Sequence, residues 1–312
     1  VTSVVLTRSL WAAGTLAGAV SMAFLLVVWA PGDPIDLLPD GEALRPTLAA
    51  RWQLDRPVWE RLLRWWALLL SGELGTSMSV RPGAPVGEVV ARPALATAWR
   101  VAAAWVVLFG SGVALAFATA ERGRRWAGAW VHAVSLVPLF LLAHASIWLL
   151  NESAFAGMQR GWFDRPSWFA LPDVDSWLRT GLAVALLALG SSALAEVHTE
   201  LQRTVVQLRT APFVVAARAR GEGTGWLVLH HLLPTVCSLG AQRVAWLLGG
   251  AVVVEKLLML PGAGSTLWEA ALQRDYEVVL ALSLMAAAVV VACRLLADLA
   301  RAALDPRLRS RP

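Results

Sequence analysis

Charge is scarce in this sequence. Only 16% of its 312 residues are Asp, Glu, Lys or Arg, against roughly 25% in soluble domains, so an ordinary water-soluble domain is excluded first. Lysine is reduced to Lys256. A phosphate-cradling loop needs a lysine before Ser or Thr at the end of a glycine-rich turn. Lys256 lies instead within "VVVEKLLML", which excludes that route to ATP hydrolysis. The two cysteines, Cys237 and Cys293, make neither a disulfide framework nor a metal spacing. They read as small apolar side chains on the reducing side of a membrane. The net charge of +5 is not gathered into a nucleic-acid patch. Its arginines stand at the ends of apolar runs, which suits a lipid surface. The expectation is a partner membrane and no nucleic acid.

What is abundant is apolar sequence: 57% of the residues are hydrophobic and 17 are tryptophan. Tryptophan favours the membrane–water interface. Leu10–Ala30 is long enough to cross a bilayer. A cleaved signal peptide is the competing reading, but Trp29-Ala30-Pro31 offers no clear small-x-small site. Further spans are expected at Ala94–Ala120, Trp126–Leu150, Thr180–Glu196, Val236–Leu258 and Val278–Ala300, making six in an all-α polytopic membrane protein. Arg122, Arg124 and Arg125 follow the second span, and Arg203, Arg209, Arg218 and Arg220 follow the fourth. Arg301, Arg307, Arg309 and Arg311 end the chain. Together with Arg8 these fall on one side, while Arg160, Arg165 and Arg274 lie opposite. The positive-inside rule then places both termini in the cytosol. Between Pro31 and Pro93, Trp52, Trp59, Leu62, Leu63 and Trp66 recur near one helical face, predicting a helix along the outer surface. Leu62–Leu70 alone is too short to span.

The loop after the fourth span holds "AARARGEGTGWLVLHHLLP" (216–234). Phe213, Ala217 and Gly221 recur every four residues and are expected on one face, where small side chains let another backbone approach. Gly221, Gly223 and Gly225 are expected to break the helix. A second helix is expected from Trp226 to Pro234, ahead of the next span. Such an elbow is either a docking feature for a soluble partner or an amphipathic connector on the headgroups.

Val215-Ala216-Ala217, three residues, Gly221, nine residues, then His231-Leu232-Leu233-Pro234 resembles the "EAA" loop of bacterial ABC importer permeases, E-A-A-x₃-G-x₉-I-x-L-P. "FVVAARARGEG" is similar to the Y-V-R-T-A-R-A-K-G of the oligopeptide/dipeptide/nickel branch. "PGDP" (31–34), "LDRPVWERLLRWWALLLSGELGTS", "GAVVVEKLLMLPGAG", "RDYEVV" and the closing "LDPRLR" resemble that branch's other motifs in order. The match is looser between His231 and Glu255, which is about one helical turn short, in Asn151–Trp177, and at Arg243.

The resemblance implies a type I importer permease fold in a bacterial inner membrane. Residues 1–93 would be a transmembrane helix plus an extracytoplasmic segment. Residues 94–312 would be the five-helix permease domain with an EAA-like loop over 211–234. It implies a second permease subunit, two ATPase subunits holding ATP and Mg, and an extracytoplasmic binding protein. No cofactor is expected on this chain. Phe213, Ala216, Ala217, Arg218, Arg220 and Gly221 would dock on an ATPase. Glu255, ionisable within an apolar run, is a candidate for the translocation path or gate, or a partner of Lys256 or Arg274. Arg243 is expected to snorkel to the headgroups or line the pore. His230-His231 cannot share a helix face and so makes a poor metal site. Ser111 in "GSG" would need a histidine base for protease chemistry, and the last span has none. It reads better as close helix packing. A secondary transporter would show inverted repeats, which are not evident, and would leave the elbow without purpose.

Overall fold

The computed structural model describes residues 2–29, 35, 45–47, 49–50, 55–120, 125–162, 172–190 and 192–304. The expectations at Pro31–Pro34, Trp52, Arg122, Arg124, Arg165, Arg307, Arg309 and Arg311 lie outside them. Among the described residues the long elements are all helices: α1 (Thr2–Trp29), α2 (Val58–Leu70), α3 (Val86–Thr119), α4 (Arg125–Ser135), α5 (Leu139–Gln159), α6 (Pro172–Leu189), α7 (Ser192–Arg209), α8 (Pro212–Ala219), α9 (Thr224–Leu257), α10 (Ala263–Leu272) and α11 (Tyr276–Leu304). Five of these (α1, α3, α5, α9 and α11) are long and apolar enough to cross a membrane, and six spans result when the bent pair α6–α7 counts as one.

Three expected boundaries change, and proline or glycine explains each. The third span is not Trp126–Leu150. That stretch breaks into α4 and α5 at Leu136-Val137-Pro138, and the membrane-length helix is Leu139–Gln159. Proline disfavours helical backbone at the residue before it and is at home at a helix start. The fourth span bends by 48° between α6 and α7. At the bend, a Cβ on Gly190 would lie 2.4 Å from the Leu186 carbonyl oxygen, so only glycine fits without a shift. Conversely, Pro234 does not separate a loop helix from the fifth span. α9 runs through it unbroken, as α3 runs through Pro93. Val228 and Leu232 before Pro234 and Leu247 after it are buried in one core. Tertiary packing on both sides holds the helical path although one hydrogen bond is lost.

The chain forms two compact units, Val1–Thr97 with Pro261–Ala292, and Ala98–Leu260 with Cys293–Pro312. The chain leaves the first unit after Thr97 and returns to it from Pro261 to Ala292. In the first unit, Val20, Phe24, Trp65 and Leu280 form one cluster, and Val86, Val89, Val90, Ala270, Val278 and Ala281 belong to another. The Trp66 indole donates to Ser21 Oγ at 3.3 Å. Helix α2 buries Trp65 and leaves Trp59 and Leu63 exposed, so the single aromatic face expected there is divided. In the second unit, α9 packs on α5, α6, α7 and α8. Two close approaches need glycine. A Cβ at Gly112 would lie 2.8 Å from Val197, and one at Gly240 would lie 2.5 Å from the Trp105 ring. The Trp105 indole also donates to the Gly240 carbonyl at 3.1 Å. The Ser111 hydroxyl donates to the carbonyls of Val107 and Leu108 in its own helix.

Candidate functional site

The elbow is built from local backbone chemistry. Pro212 opens α8 at a position where a missing N–H costs nothing. Gly221 closes it with φ +77°. The Gly221 N–H bonds to the Arg218 carbonyl at 3.0 Å and the Glu222 N–H to the Ala217 carbonyl at 3.1 Å, the paired pattern of a glycine-terminated helix. Gly223 has negative φ and caps α9, and Gly225 is already helical. Of the three glycines, only Gly221 uses a left-handed backbone.

Burial divides α8 differently from the four-residue spacing. Val214 and Ala217 are buried within the chain's own core, at 0% and 2% exposure. Phe213, Val215, Ala216, Arg218, Arg220 and Gly221 are exposed. Ala217 therefore cannot share an open docking face with Phe213 and Gly221. A helix this short needs one side for its own support, and Val214 and Ala217 provide it. Phe213 is tied back by a ring contact with His231 at 4.7 Å between centroids. Arg220 holds Glu222 through two hydrogen bonds, at 2.6 and 3.2 Å. That bonding draws the exposed Glu222 carboxyl below its ordinary value and the Arg220 guanidinium above its own.

Further polar contacts tie helices together. Glu255, in the last turn of α9, is 1% exposed and accepts from Arg100 of α3 at 2.6 Å. This ion pair ties the end of α9 to another span, α3. Arg100 was legible in principle, since it is an ionisable residue inside the expected second span. Arg243 pairs with Glu196 of α7. His198 is buried and meets Thr119 Oγ1 at 2.8 Å, while Gln202 donates to the Thr119 carbonyl at 3.1 Å. Periodicity along one helix does not single out that cluster, because Thr119 ends α3 while His198 and Gln202 lie on α7.

In the first unit, Asp275 organises the loop after α2. Its Oδ2 accepts from Ser77 Oγ at 2.5 Å and from the backbone N–H groups of Met78, Ser79 and Val80 at 3.0 Å each. Its Oδ1 reaches the Val278 N–H at 3.4 Å, at the start of α11. Arg274 takes a positive φ of 56° and the Asp275 N–H bonds to the Ala270 carbonyl at 2.8 Å, which aims the carboxylate at the loop. "GELGTS" and "RDYEVV" are thus two halves of one contact, a carboxylate compensated by a nest of donors.

Comparison with known proteins adds an independent line. Residues 107–310 match the family described as the binding-protein-dependent transport system inner membrane component. A glutathione transport system permease protein of Salmonella paratyphi A is 31% identical over 98% of both chains. Its counterpart in an Escherichia coli O6:H1 strain is 28% identical over 92% of both. A protein named as a candidate peptide permease of Brucella ovis is 27% identical over 97% of both.

Proposed function

Because this chain belongs to the family of inner-membrane components of binding-protein-dependent transport systems, we propose that it is the permease subunit of an ATP-driven importer for peptides or related small solutes. The names of its relatives support that substrate class. The observation that carries the coupling step is the exposed side of α8. Phe213, Ala216, Arg218 and Arg220 face outward from an elbow that Val214 and Ala217 anchor to the core. α9 continues from that elbow into the membrane without a break. A soluble ATPase that grips α8 therefore acts on a transmembrane helix directly. ATP and Mg would be held by two such ATPase subunits, and an extracytoplasmic binding protein would deliver the solute to a path shared with a second permease. The arginine distribution supports cytosolic termini and a cytosolic elbow.

Co-expression with candidate ATPase subunits and a second permease tests this reading. The purified chain alone should turn over no ATP, and the assembled complex should do so, faster when a loaded binding protein is added. Robust turnover by the chain alone, with contaminants controlled for, would overturn it.

A further inference from the structure

We propose that the first unit holds a binding site for an ammonium–phosphate zwitterion, the headgroup of an ethanolamine phospholipid. A cavity of about 140 Å³ lies among α1, α2, the loop at Gly75–Met78 and the start of α11. Its charged lining is Arg61, Arg64 and Glu277. Glu277 makes no hydrogen bond and no ion pair among the described residues, and its Oε2 is buried without a partner. Gly75, with φ +81°, makes room for it, since a Cβ there would lie 3.1 Å from that oxygen. Arg61 sits with its guanidinium 5.9 Å from the Tyr276 ring centroid. Neither Arg61 nor Arg64 forms an ion pair among the described residues. The cavity therefore presents an unsatisfied carboxylate and two guanidinium groups with donors to spare.

That donor set selects its ligand. A primary ammonium gives the carboxylate the N–H donors it lacks, and phosphate oxygens match the planar guanidinium fork. Most of the rest of the wall is apolar, including Phe24, Val28, Trp65 and Leu280, and Thr76 and Tyr276 add hydroxyls. Around it, Leu26 and Trp29 on α1 and Trp59 and Leu63 on α2 are exposed. An amphipathic helix beside a span, carrying tryptophans, belongs at the lipid interface. Acyl chains attached to the headgroup can thus run down α1. A choline headgroup has no N–H to offer Glu277 and is bulkier. A glycerol headgroup carries no cation.

The inference rests on the chain being a membrane protein and not on the coupling role of α8, so it is measured without ATPase or uptake. The full chain, stripped of lipid in detergent, would be titrated with phosphatidylethanolamine, phosphatidylcholine and phosphatidylglycerol of matched chains and read by native mass spectrometry. One phosphatidylethanolamine should bind about tenfold more tightly than either other lipid, as expected for a charge-assisted contact. Glu277→Gln should bring it down to the phosphatidylcholine level. Arg61→Gln should weaken phosphatidylethanolamine and phosphatidylglycerol together, which keeps the test decisive if the first variant does not fold. Free phosphoethanolamine at millimolar concentration should fail to displace the lipid. Displacement would make the soluble zwitterion the ligand of the same site and overturn the lipid assignment. Equal binding of all three lipids, or indifference to both substitutions, would overturn the site itself.

Discussion

Glu255 and Arg100 carry opposite charges into a region where neither could stand alone. Removing one member of a buried pair strands the other, at a typical cost of roughly 3–5 kcal/mol, whereas replacing both with apolar groups is often near neutral. Glu255→Gln should therefore lower thermal stability in detergent sharply, and Arg100→Met with Glu255→Leu should recover most of the loss. A double variant as unstable as the two single losses added together would show that the pair is not coupled. The Arg220–Glu222 pair is the opposite case. It is exposed, and such pairs add little to stability. Its signature is a titration: Glu222 is held below its ordinary value of 4.5 by the Arg220 hydrogen bond. Whatever it contributes is present above the ordinary value and lost as pH falls through the depressed one. The Glu222 side-chain NMR signal should titrate below 4.5, and Arg220→Gln should move the midpoint up. At this scale sequence identified Glu255 but not its partner, because a contact across 155 positions leaves no mark on periodicity. Asp275 was visible only as a letter in a motif, since its meaning lies in backbone N–H groups that any residue at 78–80 would supply.

Helix α8 shows why a short element must be split between support and display. Ala217 is inside, so Ala217→Trp should disturb the chain itself through overpacking, typically about 1–3 kcal/mol, and reduce membrane levels. Ala216 is outside. Ala216→Trp should leave levels and thermal stability intact while weakening ATPase co-purification and uptake. Intact co-purification and transport in the Ala216 variant would remove α8 from the docking surface and return the elbow to a connector on the headgroups. The four-residue spacing of Phe213, Ala217 and Gly221 located the helix, although Gly221 itself falls just past its end. It could not say which side is covered, because small residues suit both a packed face and an open one. Proline misled in both directions for a related reason. Its local preference decided the break at Pro138, but at Pro93 and Pro234 the surrounding core prevailed.

At the scale of the whole molecule, apolar length located the five or six candidate spans among the described residues, but not their ends. The long helices α3 and α9 have 34 residues each, about 51 Å at the usual rise. That exceeds a hydrocarbon core of roughly 30 Å, so both protrude. Apolar runs reveal only the submerged part. Sidedness should follow the arginines. Single cysteines at Ser79 and Thr224, probed with an impermeant thiol reagent on intact cells after replacing Cys237 and Cys293, should label at 79 and not at 224. The reverse pattern would invert the orientation.

The unbroken course of α9 through Pro234 has a mechanical meaning. A rod about 51 Å long with no joint is a lever, and a lever transmits tilt. Rocked by about 10° on a central pivot, each end would sweep roughly 4 Å, in opposite directions, from the length given by the helical rise. One end is the elbow and the other carries Glu255. Under the proposed coupling, a push at the elbow would move the carboxylate sideways relative to Arg100. That distance exceeds what a hydrogen bond tolerates. A flexible hinge at residue 234 would have absorbed the stroke. If an ATPase grips α8 as proposed, an α9 without such a hinge would carry a small force at the elbow to the Arg100–Glu255 contact.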